Sequence, residues 1–294
     1  MKQGIYKNIC KVVVLMVLVS GITGVGSVLG QQVYYSGSAQ YATGSYFFER
    51  STNSFYLTNS IRIRGGGVSL SLNVPYMIQN SPWISYSGIG YIPTGGSQSE
   101  TVSDVGKGRG KGSPGSTTPG LEPVILTDTV SYNKYGLNDP NLYLSVRLTP
   151  LTQTKTLLYL NAGTKVPVTN PETGFGTGAW DFGVGMSITQ RFNTFFLTAD
   201  AMYWHLGDME DLNFKDPLSF AIGLGKSFNN SKWLVSTMVT GYTPIIKGYD
   251  PPMGMSVGLG YFLTSNIALN ANISFGLSES SSDIGGGIGW SIRL

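Results

Sequence analysis

From residue 68 to the last residue, the chain repeats one pattern: apolar side chains at every second position, with Ser, Asn, Gly or Thr between them. Val68, Leu70, Leu72, Val74, Tyr76 and Ile78 alternate with Ser69, Ser71, Asn73, Pro75 and Met77. Trp180, Phe182, Val184, Met186 and Ile188 alternate with Asp181, Gly183, Gly185, Ser187 and Thr189. The same alternation runs through 141–148, 255–261, 267–277 and 288–294. Successive side chains of a strand point to opposite faces, so each stretch reads as a β-strand with one apolar face. Six further stretches read as strands with a weaker pattern: Val33–Thr43, Phe55–Arg64, Leu157–Val166, Phe195–Trp204, Leu218–Phe228 and Trp233–Tyr242. That makes twelve, each about ten residues long, which is what a tilted strand needs to cross a bilayer.

The choice between a soluble sandwich and a membrane barrel turns on composition. Only 12% of residues are charged, against about a quarter in ordinary soluble domains. The polar positions are mostly Gly, Ser, Asn and Thr, whereas a water-facing sheet would show Lys and Glu. No apolar run of about 18 residues follows residue 30, so spanning helices are excluded. The remaining way to cross lipid is a closed barrel in which every backbone group pairs between strands. The connections support this. Short links at 65–67, 149–154, 193–194, 229–232 and 264–266 alternate with long ones at 44–54, 79–137, 167–179, 205–217, 243–252 and 278–283. Short periplasmic turns and long outer loops are the asymmetry of bacterial outer-membrane barrels. The expected fold is therefore all-β: a transmembrane, antiparallel, up-and-down β-barrel of about 12 strands without a plug domain. Both termini are expected on the periplasmic side, and 79–137 is expected as a long extracellular loop.

Residues 1–30 read as a secretory signal. Lys2, Lys7 and Lys11 precede the apolar run Val12 to Val19, and Val28-Leu29-Gly30 offers a cleavage site before Gln31. The mature barrel is then 31–294, located in the bacterial outer membrane. The single cysteine, Cys10, leaves with the signal. Three of the nineteen basic residues leave as well, so sixteen basic and sixteen acidic residues remain. The near-zero balance gives no support to nucleic-acid binding. Too few residues separate Gly30 from the first strand for an N-terminal plug, so passive diffusion is the expected mechanism. The expected partners are membrane lipid and lipopolysaccharide, a small solute, and the barrel-assembly machinery during insertion.

The chain resembles the outer-membrane proteins known as putative meta-pathway phenol-degradation transporters. The resemblance rests on SLSLNVPY at 69–76, YGLNDPNLYLSVRL at 135–148, GFGTGAWDFGVGMSITQRF at 174–192 and the closing GGGIGWSIRL. It covers most of the mature chain and implies passage of small molecules across the outer membrane. The chain ends in Leu294, where such barrels often end in an aromatic residue.

Catalysis has little to work with. His205 is the sole histidine, and no serine stands near it at a suggestive spacing, so no enzymatic activity and no cofactor are expected. Asp208, Glu210, Asp211 and Asp216 offer oxygen ligands but lack the glycine and terminal glutamate of a calcium loop. A solvated acidic loop is the simpler reading, and no metal site is expected. Lys107, Arg109 and Lys111 could meet lipopolysaccharide phosphates, although the Gly/Ser/Pro segment around them favours mobility. GFGTG at 174–178 has no strand and helix around it and is not a nucleotide loop.

The lumen carries the informative residues. Gly183, Gly185, Gly223, Gly225, Gly258, Gly260, Gly287 and Gly289 take the inward parity and leave room, so that Gly185→Ser is expected to be mild. Tyr56, Tyr143, Tyr159, Phe196, Trp204 and Phe262 also point inward, to narrow the path or to stack on a flat solute. Arg62, Arg64, Arg147, Arg191 and Arg293 close their strands at one mouth with lumen parity. Asp181 and Asp200 are the inward acids. Five guanidiniums at one mouth predict either an anion-preferring ring or a lattice binding turn carbonyls. Lys226 has lipid-side parity and is expected to snorkel. The function expected is passive diffusion of small solutes, aromatic or anionic. A surface-display or adhesion barrel and an outer-membrane hydrolase are the alternatives.

Overall fold

A computed structural model describes residues 31–46, 51–80, 84–94, 134–169, 175–209 and 212–294. The expected signal, residues 1–30, lies outside the described residues. The described residues form fifteen strands: β1 (Gln32–Gly44), β2 (Thr52–Gly65), β3 (Val68–Gln79), β4 (Ile84–Ser87), β5 (Gly90–Pro93), β6 (Lys134–Leu137), β7 (Asn141–Arg147), β8 (Thr156–Lys165), β9 (Asp181–Phe192), β10 (Phe195–His205), β11 (Leu218–Phe228), β12 (Trp233–Tyr242), β13 (Met253–Phe262), β14 (Ile267–Gly276) and β15 (Ile284–Arg293).

All but β4 and β5 join one antiparallel sheet in which sequence neighbours pair. The sheet closes on itself, because β1 pairs with β15 from Tyr34↔Arg293 to Thr43↔Ile284 and with β2 from Gln32↔Arg64 to Gly44↔Thr52. Both β6 and β7 pair with β3 and belong to one strand. It breaks at Asn138-Asp139-Pro140, where Pro140 has no N–H to give to the ladder. The barrel therefore has twelve strands, and closure pairs both edges of each except along β6, whose partner among the described residues is β3.

The parity read from the sequence is the parity of the wall. On β9, Phe182, Val184, Met186 and Ile188 are exposed on the outer face, while Gly183, Gly185 and Ser187 turn inward. Aromatic rings gather at both ends of the outer face: Trp180 stacks on Phe182 at 5.9 Å at one end, and Trp233 meets Tyr261 at 4.4 Å at the other. An apolar band between aromatic girdles is what a bilayer requires of a barrel. Lys226 lies on this face, with Nζ 4.6 Å from the Phe195 ring centre and 5.0 Å from that of Phe228. Tight turns mark one end. The β2–β3 turn uses Gly66 and Gly67 at φ 57° and 85°, values that cost glycine nothing.

One segment departs from the sequence reading. Within 79–137, taken above as a single outer loop, β4 and β5 pair with each other as a hairpin. Ile84, Ser85, Tyr86, Ser87, Ile92 and Pro93 are buried. The hairpin contacts inward side chains of β2, β7, β9, β10 and β12, so it lies inside the lumen at the long-loop end. Both of its faces are covered, and a strand covered on both faces shows no period-two signal. β6 likewise converts the end of that stretch into barrel wall. Residues 95–133, which include Lys107, Arg109 and Lys111, lie outside the described residues.

Candidate functional site

The hairpin tip, Gly88-Ile89, is held by side chains from opposite walls. Asp181, the first residue of β9, accepts the Gly88 amide on Oδ2 at 2.6 Å and the Gly207 amide on Oδ1 at 2.9 Å. Tyr143 of β7 donates its hydroxyl to the Gly88 carbonyl at 3.1 Å. From across the lumen, Tyr242 of β12 donates to the Ile89 carbonyl at 3.0 Å. On the β2 side, Tyr91 stacks on Tyr56 with ring centres 4.0 Å apart. The hairpin is internally tied by Ser85 Oγ and Thr94 Oγ1 at 2.7 Å. An apolar cluster of Ile92, Met202, Trp204, Leu206, Leu212, Ile245 and Ile246 seals it to the wall and to the loops after β10 and β12.

Beneath this tip sits a buried charge cluster that sequence reasoning missed. Lys165, the last residue of β8, is 0% exposed. Its Nζ lies 3.3 Å from Asp139 Oδ2 and 3.4 Å from Asp181 Oδ2 and donates to Thr177 Oγ1. Asp139 is in turn held by the amides of Val168 and Thr169, each at 2.9 Å. Burying a charge is costly unless it is paired and hydrogen-bonded, and here all three charges are. The signal was available: Lys165 and Asp181 have lumen parity and face each other across the β8–β9 pair. Asp139 was hidden by the break at Pro140.

The predicted aromatics divide into two groups. Tyr56, Tyr143 and Trp204 seat the hairpin at the long-loop end, with Trp204 meeting Tyr143 edge-on at 6.2 Å. Tyr159, Phe196 and Phe262 lie toward the short-turn end. Tyr159 lines a cleft of about 330 Å³ there, together with Arg64 and Arg147. Phe196 covers Gly225, where a Cβ would stand 2.1 Å from its ring, and Phe262 is 46% exposed at its strand end. The six rings do not form one constriction.

The predicted arginines all fall at the short-turn end, and they also divide. Arg147 bonds Thr149 Oγ1 and the carbonyls of Pro150 and Gln153, so it ties down its own turn. Arg293 donates to Asn266 Oδ1 at 2.6 Å. Among the described residues, Arg62, Arg64 and Arg191 have no carboxylate within ion-pair distance. Asp200 faces the lumen from mid-β10, opposite Ser187 and Ala221. It too lacks a cationic partner among the described residues.

His205 and the acidic loop have local roles. The His205 ring lies 3.0 Å from Asp216 Oδ1, and the Leu206 amide and Tyr203 hydroxyl also donate to that carboxylate. Partial burial pushes the Asp216 carboxyl up, but these hydrogen bonds outweigh it and hold the group below its usual range. Asp208 accepts the Phe214 amide at 2.7 Å. Glu210 and Asp211 lie outside the described residues.

Facing the hairpin, the walls of β12–β15 and β1 are left uncovered by the described residues. A cavity of about 380 Å³ lies between them and the hairpin. Among the described residues, the hairpin thus narrows the lumen from one side only.

A closed twelve-stranded wall with an apolar outer belt and a polar, partly open lumen is the fold of an outer-membrane β-barrel. No family model matches the chain, and no curated protein matches it. Among solved structures, it is similar to an outer membrane channel from Pseudomonas putida F1, with a TM-score of 0.61 and 8% identity over 91% of this chain and 97% of that one. At that identity the likeness is one of fold. Looser superpositions include KdgM porin, at TM-score 0.46 and 6% identity over 88% of this chain and 99% of that one. Another is the toluene transporter TodX of P. putida, at 0.43 and 12% over 91% of each chain.

Proposed function

We propose that this chain is an outer-membrane channel for passive diffusion of small solutes, with the long-loop end outside and both termini in the periplasm. The observation that carries the reading is the one-sided hairpin: side chains from both walls hold it, yet it leaves a cavity of about 380 Å³ against a wall of small residues. A barrel that served only to display loops would have no use for an anchored, incomplete constriction. Aromatic solutes, suggested by the inward rings, form part of this proposal, as does an anion bias from Arg62, Arg64 and Arg191. Single-channel recording on the refolded protein tests it. Discrete steps in KCl are expected. A folded, correctly inserted barrel that carries no current would overturn the channel reading in favour of display.

A further inference from the structure

The cavity beside the hairpin has a lining unlike the rest of the lumen. Among the described residues, no Asp, Glu, Lys, Arg or His contributes to it. Part of the lining is aromatic: Tyr56 and Tyr91, stacked on each other, and Tyr242, whose hydroxyl is committed to the Ile89 carbonyl. The barrel wall beside them presents Gln40, which pairs with Tyr56, Thr240, two residues before Tyr242, and Ser256, Asn272 and Ser274. None of these five side chains has a hydrogen-bond partner among the described residues. They come from four strands but form a continuous patch through the register. Gln40 and Asn272 both face Gly287, Ser256 faces Ser274, and Ser274 faces Gly285. The intervening glycines have no side chain to fill the gap between neighbouring polar groups. The slot thus combines tyrosine rings with a wall rich in unpaired amides and hydroxyls.

We propose that this slot is a solute-binding site selective for neutral, hydroxylated ring compounds, of which a pyranose is the simplest. The inference rests on the channel reading above and names the class of solute. The apolar face of such a ring stacks on tyrosine, while its hydroxyls replace water on the amides and hydroxyls of the wall. A volume of about 380 Å³ lies at the small end of ligand pockets. An ionised solute gains nothing here, because it loses hydration and meets no counter-charge. Choice of solute is therefore made in the slot, whereas the arginines at the other mouth bias only the flow of simple ions.

The test compares glucose with glucuronate, which share a ring and differ by one carboxylate. Each is added to the full mature protein in a planar bilayer carrying a KCl current, and each is titrated calorimetrically against the same protein in detergent. Glucose is expected to reduce the current in a concentration-dependent way and to bind at least about fivefold more tightly than glucuronate, the effect of roughly one hydrogen bond. Asn272→Leu and Ser274→Val are each expected to weaken the glucose block about fivefold while KCl conductance stays within about twofold. A gel shift on boiling verifies that each variant is folded. Equal or stronger binding of glucuronate overturns the inference, and so does a conducting channel that glucose neither blocks nor binds. Absence of KCl current overturns the channel reading instead, and calorimetry then still decides whether the slot binds.

Discussion

The Asp181 carboxylate at the head of β9 accepts the Gly88 amide at the hairpin tip at 2.6 Å, while its other oxygen holds the Gly207 amide. One side chain thus fastens the inserted hairpin to the wall and to the loop after β10. Its charge is balanced from below by Lys165 at 3.4 Å. Removing that cation leaves Asp139 and Asp181 buried without compensation, at a cost of about 3–5 kcal/mol. Lys165→Met is therefore expected to release the hairpin, raising single-channel conductance and opening 84–93 to protease. Unchanged conductance together with full protease resistance would show that the cluster does not hold the hairpin.

Gly88 has no room for a side chain. A Cβ there would stand 2.8 Å from Asp181 Cβ and 2.9 Å from the Trp204 ring. Gly88→Val should displace the tip and expose Trp204 to water. The expected reading is a red-shifted tryptophan emission with the strand signal in circular dichroism retained. Emission identical to the parent protein would place the tip elsewhere.

The arginines should separate by experiment as they do in space. Arg62, Arg64 and Arg191 have no carboxylate partner among the described residues, so Gln at each should reduce anion preference, read as a shift of reversal potential under a KCl gradient. Arg147→Gln and Arg293→Gln remove bonds to turns. Their expected effect is a lower temperature for loss of the unboiled gel form, with a smaller change in selectivity. A cation-selective parent protein would dismiss the electrostatic role of all five.

Met186 sits in the middle of β9 on the outer face. Met186→Arg is expected to cost about 2–4 kcal/mol, the penalty for a cation at mid-bilayer, measured by denaturant unfolding in lipid. Gly185→Ser, on the lumen face, was expected from parity to be mild. The packing contradicts this, because a Cβ at Gly185 would lie 2.2 Å from the Ala201 carbonyl oxygen. This change should also destabilise the barrel, since backbone rather than a flexible side chain stands in the way.

Export makes a separate prediction. Protein extracted from the membrane should begin at Gln31, and its intact mass should lack Met1–Gly30. A full-length mass would mean that the apolar segment is retained as an anchor.

The period-two pattern by itself determined the wall. Alternation of apolar with small polar residues, low charge and alternating link lengths place each strand, its parity and the closure of the sheet. They do so because lipid on one side and lumen on the other impose opposite demands on successive residues. Hence Phe182, Val184, Met186 and Ile188 are exposed on the outer face of β9, while Gly183, Gly185 and Ser187 turn inward between them. The contents of the lumen were decided by tertiary structure. Residues 84–93 are covered on both faces, so no alternation marks them as strands, and nothing local says that they turn inward. Lys165 and Asp181 are sixteen residues apart in the chain, and Asp139 sits at a break in its strand. Their meeting depends on the register of β8 with β9 and on the bend at Pro140. The fate of Tyr56, Tyr143 and Trp204 shows the same division: parity sends them inward, but only the inserted hairpin supplies the surface on which they pack.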